Sequence, residues 1–162
     1  MADDAERQLV VFDLANEVYG VDIGTVREII RMQTVTFVPD APEFVQGVIN
    51  LRGRVIPVVN LRKRFGLPVA EATPDSRVLV VDIAGNDIGV IVDAVTEVQR
   101  VAEALIEPPA ALVTTEGAHY IDGIARVDTR LLILLDLERA LGAAVRRATE
   151  QESESPVEGV AA

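Results

Sequence analysis

Cysteine is absent from this chain of 162 residues, and histidine occurs only once. Without thiols the protein can form neither disulfides nor thiolate metal ligands. One imidazole does not supply the three or four nitrogen or sulfur ligands that a zinc site takes. We therefore expect no metal site, and we expect His119, between Gly117 and Tyr120, to lie in a surface loop.

Long hydrophobic runs are also absent, although hydrophobic residues make up 49% of the chain. The longest aliphatic run is the five residues 131–135, whereas a membrane-spanning helix needs about 20. Residues 1–6 are acidic and show no apolar run of signal-peptide length. These features predict a cytoplasmic protein with no direct membrane insertion, in which the run 131–135 is a buried strand.

Positive charge is scarce, because 15 Lys and Arg face 26 Asp and Glu, a net charge of -11. A field of this sign repels phosphates, so we expect no nucleic-acid partner. The one basic cluster consists of Arg52, Arg54, Arg62, Lys63 and Arg64. It can be a solvated face with cations at a helix C-terminus, or a surface for protein recognition.

Motifs of catalysis are missing as well. No Gly-x-Ser-x-Gly, Gly-x-Gly-x-x-Gly or Walker-type loop occurs. Carboxylates do pair in sequence, namely Asp82 with Asp87 and Asp22 with Glu28. An acidic chain produces such pairs by chance, so we expect no catalytic residues, no cofactor and no enzyme activity.

The chain does contain an internal duplication. Residues 9–29 align without a gap on residues 78–98 at an offset of 69, and residues 47–66 align on 123–142 at an offset of 76. Identical pairs include Asp13 with Asp82, Gly20 with Gly89, Glu28 with Glu97 and Arg54 with Arg130. Two half-repeats of about 7–69 and 76–146 follow, separated by the turn-rich residues 68–76.

Each half shows the same order of short β-branched runs and turns. The predicted strands in the first half are 9–14, 18–23, 26–38, 48–51 and 55–59, and those in the second are 78–83, 88–92, 95–106, 124–127 and 131–135. The hairpin turns are expected at 15–17, 52–53, 84–87 and 128–129. Pro57 has no N–H for a ladder and predicts an edge or a bulge.

Both halves end with the pattern of a short helix. Asn60 and Asp136 are suitable N-caps, and Gly66 and Gly142 stand where a helix C-terminus favours glycine. We therefore predict an all-β fold with short helices, in which two pseudo-repeated five-stranded small β-barrels pack around a shared hydrophobic core. From residue 147 to 162 the chain is an acidic tail that we expect to be disordered.

Residues 47–62 read GVINLRGRVIPVVNLR. This segment resembles the hallmark segment of CheW-type domains, and residues 19–29 and 89–95 resemble two further segments of that family. The resemblance covers about residues 7–143. One departure is Asn60, where many members of the family carry aspartate, and we expect it to cap the helix equally well.

The resemblance implies two small barrels, and it implies a non-catalytic adaptor that couples chemoreceptors to the histidine kinase CheA. The implied partners are the CheW-like regulatory domain of CheA and the cytoplasmic tip of methyl-accepting chemoreceptors, so the protein is recruited to membrane receptor arrays. The implied partner-binding residues are Val26, Glu28, Gly47, Arg52 and Gly53. The two glycines have an alternative interpretation as turn residues, and Arg52 has one as a solvated turn residue.

Two alternatives stay open at this point. A close relative of such an adaptor serves a chemotaxis-like pathway that controls pili, gliding or development. From another class, the cleft between two packed barrels could bind a small molecule.

Overall fold

The computed structural model describes residues 5–108 and 120–142. The predictions for His119 and for the tail 147–162 lie outside these residues. The described strands are β1 (Glu6–Leu14), β2 (Glu17–Asp22), β3 (Val26–Arg31), β4 (Val45–Leu51), β5 (Arg54–Asn60), β6 (Arg77–Ile83), β7 (Asn86–Val92), β8 (Ala94–Ala102), β9 (Ile106–Glu107), β10 (Ile121–Val127) and β11 (Arg130–Leu135). Helix α1 is Leu61–Arg64, and residues 137–142 are helical and are called α2.

The strands form two sheets, which we call the first and the second barrel. The first has the order β8-β1-β2-β11-β10-β9, and the second has the order β3-β6-β7-β5-β4. The barrels do not follow the two halves of the sequence. The hairpin β1–β2 of the first half completes the first barrel, and the hairpin β6–β7 of the second half completes the second. Each barrel is therefore built from both half-repeats.

In both sheets one stretch of chain joins the two ends. After β8 a single 3-10 turn, Glu103–Leu105, leads into β9, which pairs with β10 at the opposite end of the sheet. After β3 the chain reaches Thr36, which exchanges backbone hydrogen bonds of 2.8 and 2.9 Å with Val48 of β4. Each sheet therefore closes on itself, and the predicted fold class of two small barrels with short helices is confirmed.

The duplication extends to fine detail of the backbone. The parallel pair Leu134 with Gly20 in the first barrel corresponds to Val58 with Gly89 in the second. The antiparallel pairs β4–β5 and β10–β11 carry a bulge at the same place, ending at Gly47 and at Gly123. The two halves therefore share geometry that their sequence identity alone does not guarantee.

Hydrophobic side chains fill three connected regions. On β1, Leu9 and Val11 face the inside of the first barrel, whereas Val10, Phe12 and Leu14 face the second barrel. The equivalent strand β6 alternates in the same way, with 78 and 80 inside its own barrel and 79, 81 and 83 in the shared region. These strands are buried on both faces, which explains why their sequences are nearly continuous aliphatic runs. The predicted shared core is confirmed.

In each half, a polar side chain caps the short helix that follows the last strand. The side chain of Asn60 accepts a hydrogen bond from the Lys63 N–H at 3.2 Å, and that of Asp136 accepts one from the Arg139 N–H at 3.0 Å. Gly66 has φ +71 and ends α1, as predicted. Gly142, by contrast, is still helical, so the prediction that it lies beyond the second helix is wrong.

Equivalent residues of the two halves meet around Arg64. The Arg64 Nε donates a hydrogen bond of 2.7 Å to the carbonyl of Ala140, its own equivalent in the other half. Its guanidinium lies 4.5 Å from the ring centre of Tyr120 and 5.5 Å from that of Phe44, which are likewise equivalent residues. This single cation therefore holds α1 against α2.

Several predicted turns and strands need correction. Strand β3 ends at Arg31 and not at 38, and the predicted strand 95–106 is divided into β8 and β9, so the first barrel has six strands and not five. Strand β7 begins at Asn86, and the turn after β6 is only Ala84 and Gly85, both with positive φ. Pro57 lies in β5, which is an interior strand between β4 and β7, so it is not at an edge. The bulge of the β4–β5 pair lies next to it, in β4 opposite Val58 and Val59. Pairing of β5 with β7 begins only at Val58, so the missing N–H of Pro57 falls just before that ladder.

Candidate functional site

All five predicted partner-binding residues lie in the second barrel. Val26 and Glu28 are on β3, Gly47 is on β4, and Arg52 and Gly53 form the turn between β4 and β5. The structure brings Arg52 and Glu28 into direct contact, although they are far apart in sequence. The other three positions serve the backbone and the core, as described below.

Arg52 and Glu28 form a bidentate ion pair on the surface of the second barrel. The Arg52 Nη1 and Nη2 donate to the two carboxylate oxygens of Glu28 at 2.8 and 2.7 Å. The hydrogen bond from Arg52 lowers the pKa of Glu28, and in return Glu28 raises the pKa of Arg52. Arg52 is a predicted partner-binding residue, and both terminal nitrogens of its guanidinium are bonded to Glu28. The pair remains accessible, since the side chains are 69% and 31% exposed.

Gly53 and Gly47 have different local roles. Gly53 has φ +84, and a Cβ added there would meet no atom within 4 Å, so this glycine provides only the turn conformation. Gly47 has φ +150, and a Cβ there would collide with the backbone carbonyl oxygen of Thr36. Gly47 thus permits the close approach that closes the barrel. Val26 is half-buried and packs against the shared core.

A second group of charges lies beside the ion pair. The sequence indicated its carboxylate pair Asp82 and Asp87 and the basic residue Arg54, but not that they contact one another. Asp82 and Asp87 are direct cross-strand partners, and Arg27 bonds both, at 3.2 and 2.5 Å. Arg54 also contacts Asp87 at 2.5 Å. Like charges opposite one another repel, so the two arginines compensate the carboxylates. The repeated pair Arg54 and Arg130 was the available signal, but it did not indicate the aspartate partner.

Exposed aliphatic side chains follow these charges along the strands. Ile29, next to Glu28, is 41% exposed, and Val55, next to Arg54, is 66% exposed. Each of these exposed aliphatic residues is therefore next to a charged residue in the chain. We call Glu28, Ile29, Arg52, Arg54 and Val55 the second-barrel rim.

The first barrel carries an equivalent rim with different charges. Glu97 and Arg130, the counterparts of Glu28 and Arg54, approach to 3.9 Å. Val98 and Leu131 are exposed at the positions that correspond to Ile29 and Val55. At the turn, however, Asp128 replaces Arg52. The same scaffold therefore presents an arginine at one end and an aspartate at the other.

Within residues 5–108 and 120–142, no three histidine or carboxylate side chains are placed to hold a metal ion. None of the helices in those same residues combines the length and apolar character needed to cross a membrane.

Comparison with known proteins adds the family relationship. Residues 8–145 match the model of the CheW-like domain. The chemotaxis protein CheW of Treponema pallidum is 38% identical over 143 residues, which are 85% of this chain and 83% of that protein. The chemotaxis protein CheW of Bacillus subtilis is 34% identical, with 83% and 86% covered.

A solved structure shows the same architecture. The scaffolding protein TtCheW from Thermoanaerobacter tengcongensis superposes with a TM-score of 0.78 at 42% identity, covering 85% of this chain and 93% of that one. At this identity the likeness extends beyond fold to local sequence.

Proposed function

This chain belongs to the CheW-like domain family, and from that premise we propose that it is a non-catalytic adaptor that couples chemoreceptors to the histidine kinase CheA in a chemotaxis signalling array. The partners in this proposal are the CheW-like regulatory domain of CheA and the cytoplasmic tip of methyl-accepting chemoreceptors. The protein then works in the cytoplasm, at the receptor array.

The observation that carries the proposal is the pair of equivalent but differently charged rims. An adaptor must bind two different proteins at once, and each of its surfaces must be selective for one of them. Two copies of one scaffold, one with Arg52 at its turn and one with Asp128, supply separate surfaces whose charges favour different partners. The exposed aliphatic residues beside each turn supply apolar area for the contacts.

At the second-barrel rim, Arg52 and Glu28 are the proposed contact residues. Their ion pair is ordered by two hydrogen bonds while its outer surface remains accessible. A preorganised pair loses little freedom when a partner binds. Val26, Gly47 and Gly53 contribute indirectly in this proposal, by holding β3 and the β4–β5 turn in place.

The first prediction concerns the charge of Arg52. Arg52→Glu should reduce binding of at least one partner by about tenfold or more, because it reverses a charge and leaves two glutamates opposed. The fold should persist, since the Arg52 side chain is 69% exposed and that of Glu28 is 31% exposed. Purified CheA and receptor fragments titrated by calorimetry give the affinities, and circular dichroism checks the fold. Unchanged affinity for both partners would contradict the proposed role.

Two controls separate the surface from the internal pair. Asp128→Arg changes the equivalent turn of the first barrel and should leave the Arg52-dependent partner bound as in the wild type. The double variant Glu28→Arg with Arg52→Glu restores an ion pair with reversed polarity. If the double variant binds the partner as the wild type does, binding requires only an ion pair at these two positions. If binding stays weak, the partner contacts the positive charge of Arg52 directly.

A further inference from the structure

A cavity of about 430 Å³ lies in the second barrel beside the connection between the two half-repeats. Small-molecule sites in proteins commonly have volumes of roughly 300–1,000 Å³. Its apolar wall includes Met32, Val35 and Ile91, and its polar wall includes Gln46 and Lys63. The cavity is separate from the second-barrel rim, so it can take a ligand whether or not the chain is an adaptor.

The duplication provides a built-in comparison for this cavity. The equivalent region of the first barrel is a cavity of only about 150 Å³, lined by Asp22 and Asp122 among other carboxylates. Arg7 bonds both of these aspartates, at 2.5 Å to Asp22 and 2.9 Å to Asp122. In the first barrel, therefore, a side chain of the protein itself ties the walls together.

The second barrel has no equivalent of this arginine with its two aspartates among the described residues. At offsets of 69 and 76, the counterparts of Arg7, Asp22 and Asp122 are Ser76, Ile91 and Gln46. All three line the larger cavity. The long arginine has become a serine that is only 5% exposed. The open volume thus lies where the Arg7 side chain lies in the other barrel.

The charges of the two sites have also diverged. The smaller cavity is lined by carboxylates, including Asp136 and Glu138, whereas Asn60 and Arg62 take these positions in the larger one. The larger cavity also contains carboxylates, from Asp93 and Glu71. Asp93 is paired with Arg62 at 2.6 Å, and Glu71 lies on the exposed connection.

After the Arg62–Asp93 pair, Glu71 and Lys63 are the two charged lining residues without an ion pair in the described ranges, and only Lys63 is half-buried. Its side chain is half-buried at the cavity wall and makes no ion pair with any residue of the described ranges. A lysine ammonium group forms a charge-assisted hydrogen bond with a carboxylate. The apolar lining residues Met32, Val35 and Ile91 favour a hydrocarbon body. The two requirements together describe an amphipathic anion.

We propose that this cavity is a binding site for a small carboxylic acid with an apolar body. The carboxylate pairs with Lys63, with the Gln46 amide as a further donor, and the hydrocarbon packs against Met32, Val35 and Ile91. The ligand fills the space that Arg7 fills in the first barrel.

Titration of the full-length protein with octanoate tests the proposal, followed by calorimetry and by ¹H–¹⁵N chemical-shift mapping. Saturable binding should shift the amides of Ser76 and Ile91. Octanamide, which has the same shape without the charge, should bind at least about tenfold more weakly, and so should octanoate with Lys63→Gln, since a charge-assisted hydrogen bond is lost.

Matched variants make the result specific. Arg139→Gln changes the residue equivalent to Lys63 in the first barrel and should bind octanoate as the wild type does. Ser76→Arg should close the cavity and abolish binding; if it does not fold, Lys63→Gln still decides. No saturable binding, equal binding of octanamide, equally tight binding of inorganic phosphate, or shifts away from the cavity would each overturn the proposal.

Discussion

At the scale of single residues, Gly47 and Gly53 belong to one hairpin but have different structural roles. Gly53 supplies a backbone conformation and has open space around it, whereas Gly47 faces the carbonyl oxygen of Thr36 across the barrel closure. The family resemblance groups both with the partner-binding residues. Their surroundings instead predict that one substitution is mild and the other severe.

Gly47→Ala should lower the free energy of unfolding by about 3 kcal/mol or more, because the methyl group collides with a backbone atom and the φ is strained. Gly53→Ala meets only the strain and should lower it by about 1 kcal/mol. Urea unfolding followed by circular dichroism measures both values. Equal losses in the two variants would show that close approach is not what selects glycine at 47.

In the ion pair of Arg52 and Glu28, the position of Arg52 was predictable from the sequence and its contact with Glu28 was not. The sequence placed Arg52 at an exposed turn correctly, because Arg-Gly between two β-branched runs is a local signal. Its partner Glu28 is 24 positions away, and no local pattern reports a contact across the open side of a barrel. The cavity beside Lys63 was missed for the same reason, although the aligned pair Arg7 and Ser76 was visible in the repeat.

At the scale of elements, Asp93 joins parts of both barrels. Its Oδ2 accepts hydrogen bonds from the Arg62 Nη2 at 2.6 Å and from the backbone N–H of Ala15 at 2.9 Å. Ala15 belongs to the β1–β2 turn and Arg62 to α1, so one carboxylate fixes the hairpin of the first barrel against the helix of the second. Burial raises the pKa of Asp93, but the hydrogen bonds and charge of Arg62 together with the Ala15 N–H outweigh it, and the net pKa is lowered.

Asp93→Asn should lower the free energy of unfolding by about 1–2 kcal/mol at neutral pH through the loss of charge-assisted hydrogen bonds. A lowered pKa in the folded state means that the unfolded state takes up the proton first. The contribution of the carboxylate is thus complete above its ordinary value of 3.8 and is lost as the pH falls through the lower folded pKa.

Urea titrations between neutral pH and the acid range measure this dependence. The wild type should lose stability more steeply below the ordinary pKa of aspartate than Asp93→Asn does. Parallel curves for the two proteins would contradict the assignment of the shift to this group.

Hairpins were the most predictable elements, since alternating or continuous β-branched runs around a turn are local features. The assignments at 84–87 and at Pro57 failed because they depend on partners elsewhere. The turn is short because Asn86 and Asp87 pair with Ile83 and Asp82, and Pro57 is tolerated inside the sheet because its neighbouring ladder starts one residue later.

At the scale of the whole molecule, the sequence revealed two halves but not their exchange of hairpins. Both arrangements, with hairpins kept or exchanged, satisfy the same local patterns, and only long-range pairing distinguishes them. The exchange has a direct consequence for folding, because neither half contains all the strands of either barrel.

Fragments 1–70 and 71–162 should each lack stable tertiary structure alone and should recover it when mixed in equal amounts. Circular dichroism and chemical-shift dispersion of each fragment and of the mixture measure this. An independently folded fragment, with its own cooperative thermal transition, would show that a half-repeat can complete a barrel without its neighbour.

The exchange of hairpins also bears on the origin of the chain. A single repeat on its own lacks strands of both sheets, so it could complete them only by pairing with a second copy, and such a dimer would dissociate on dilution. Joining the copies in one gene made folding independent of concentration. In a symmetric pair of identical copies both positions would carry the same side chain, whereas joined copies can differ there, as Arg64 and Ala140 do.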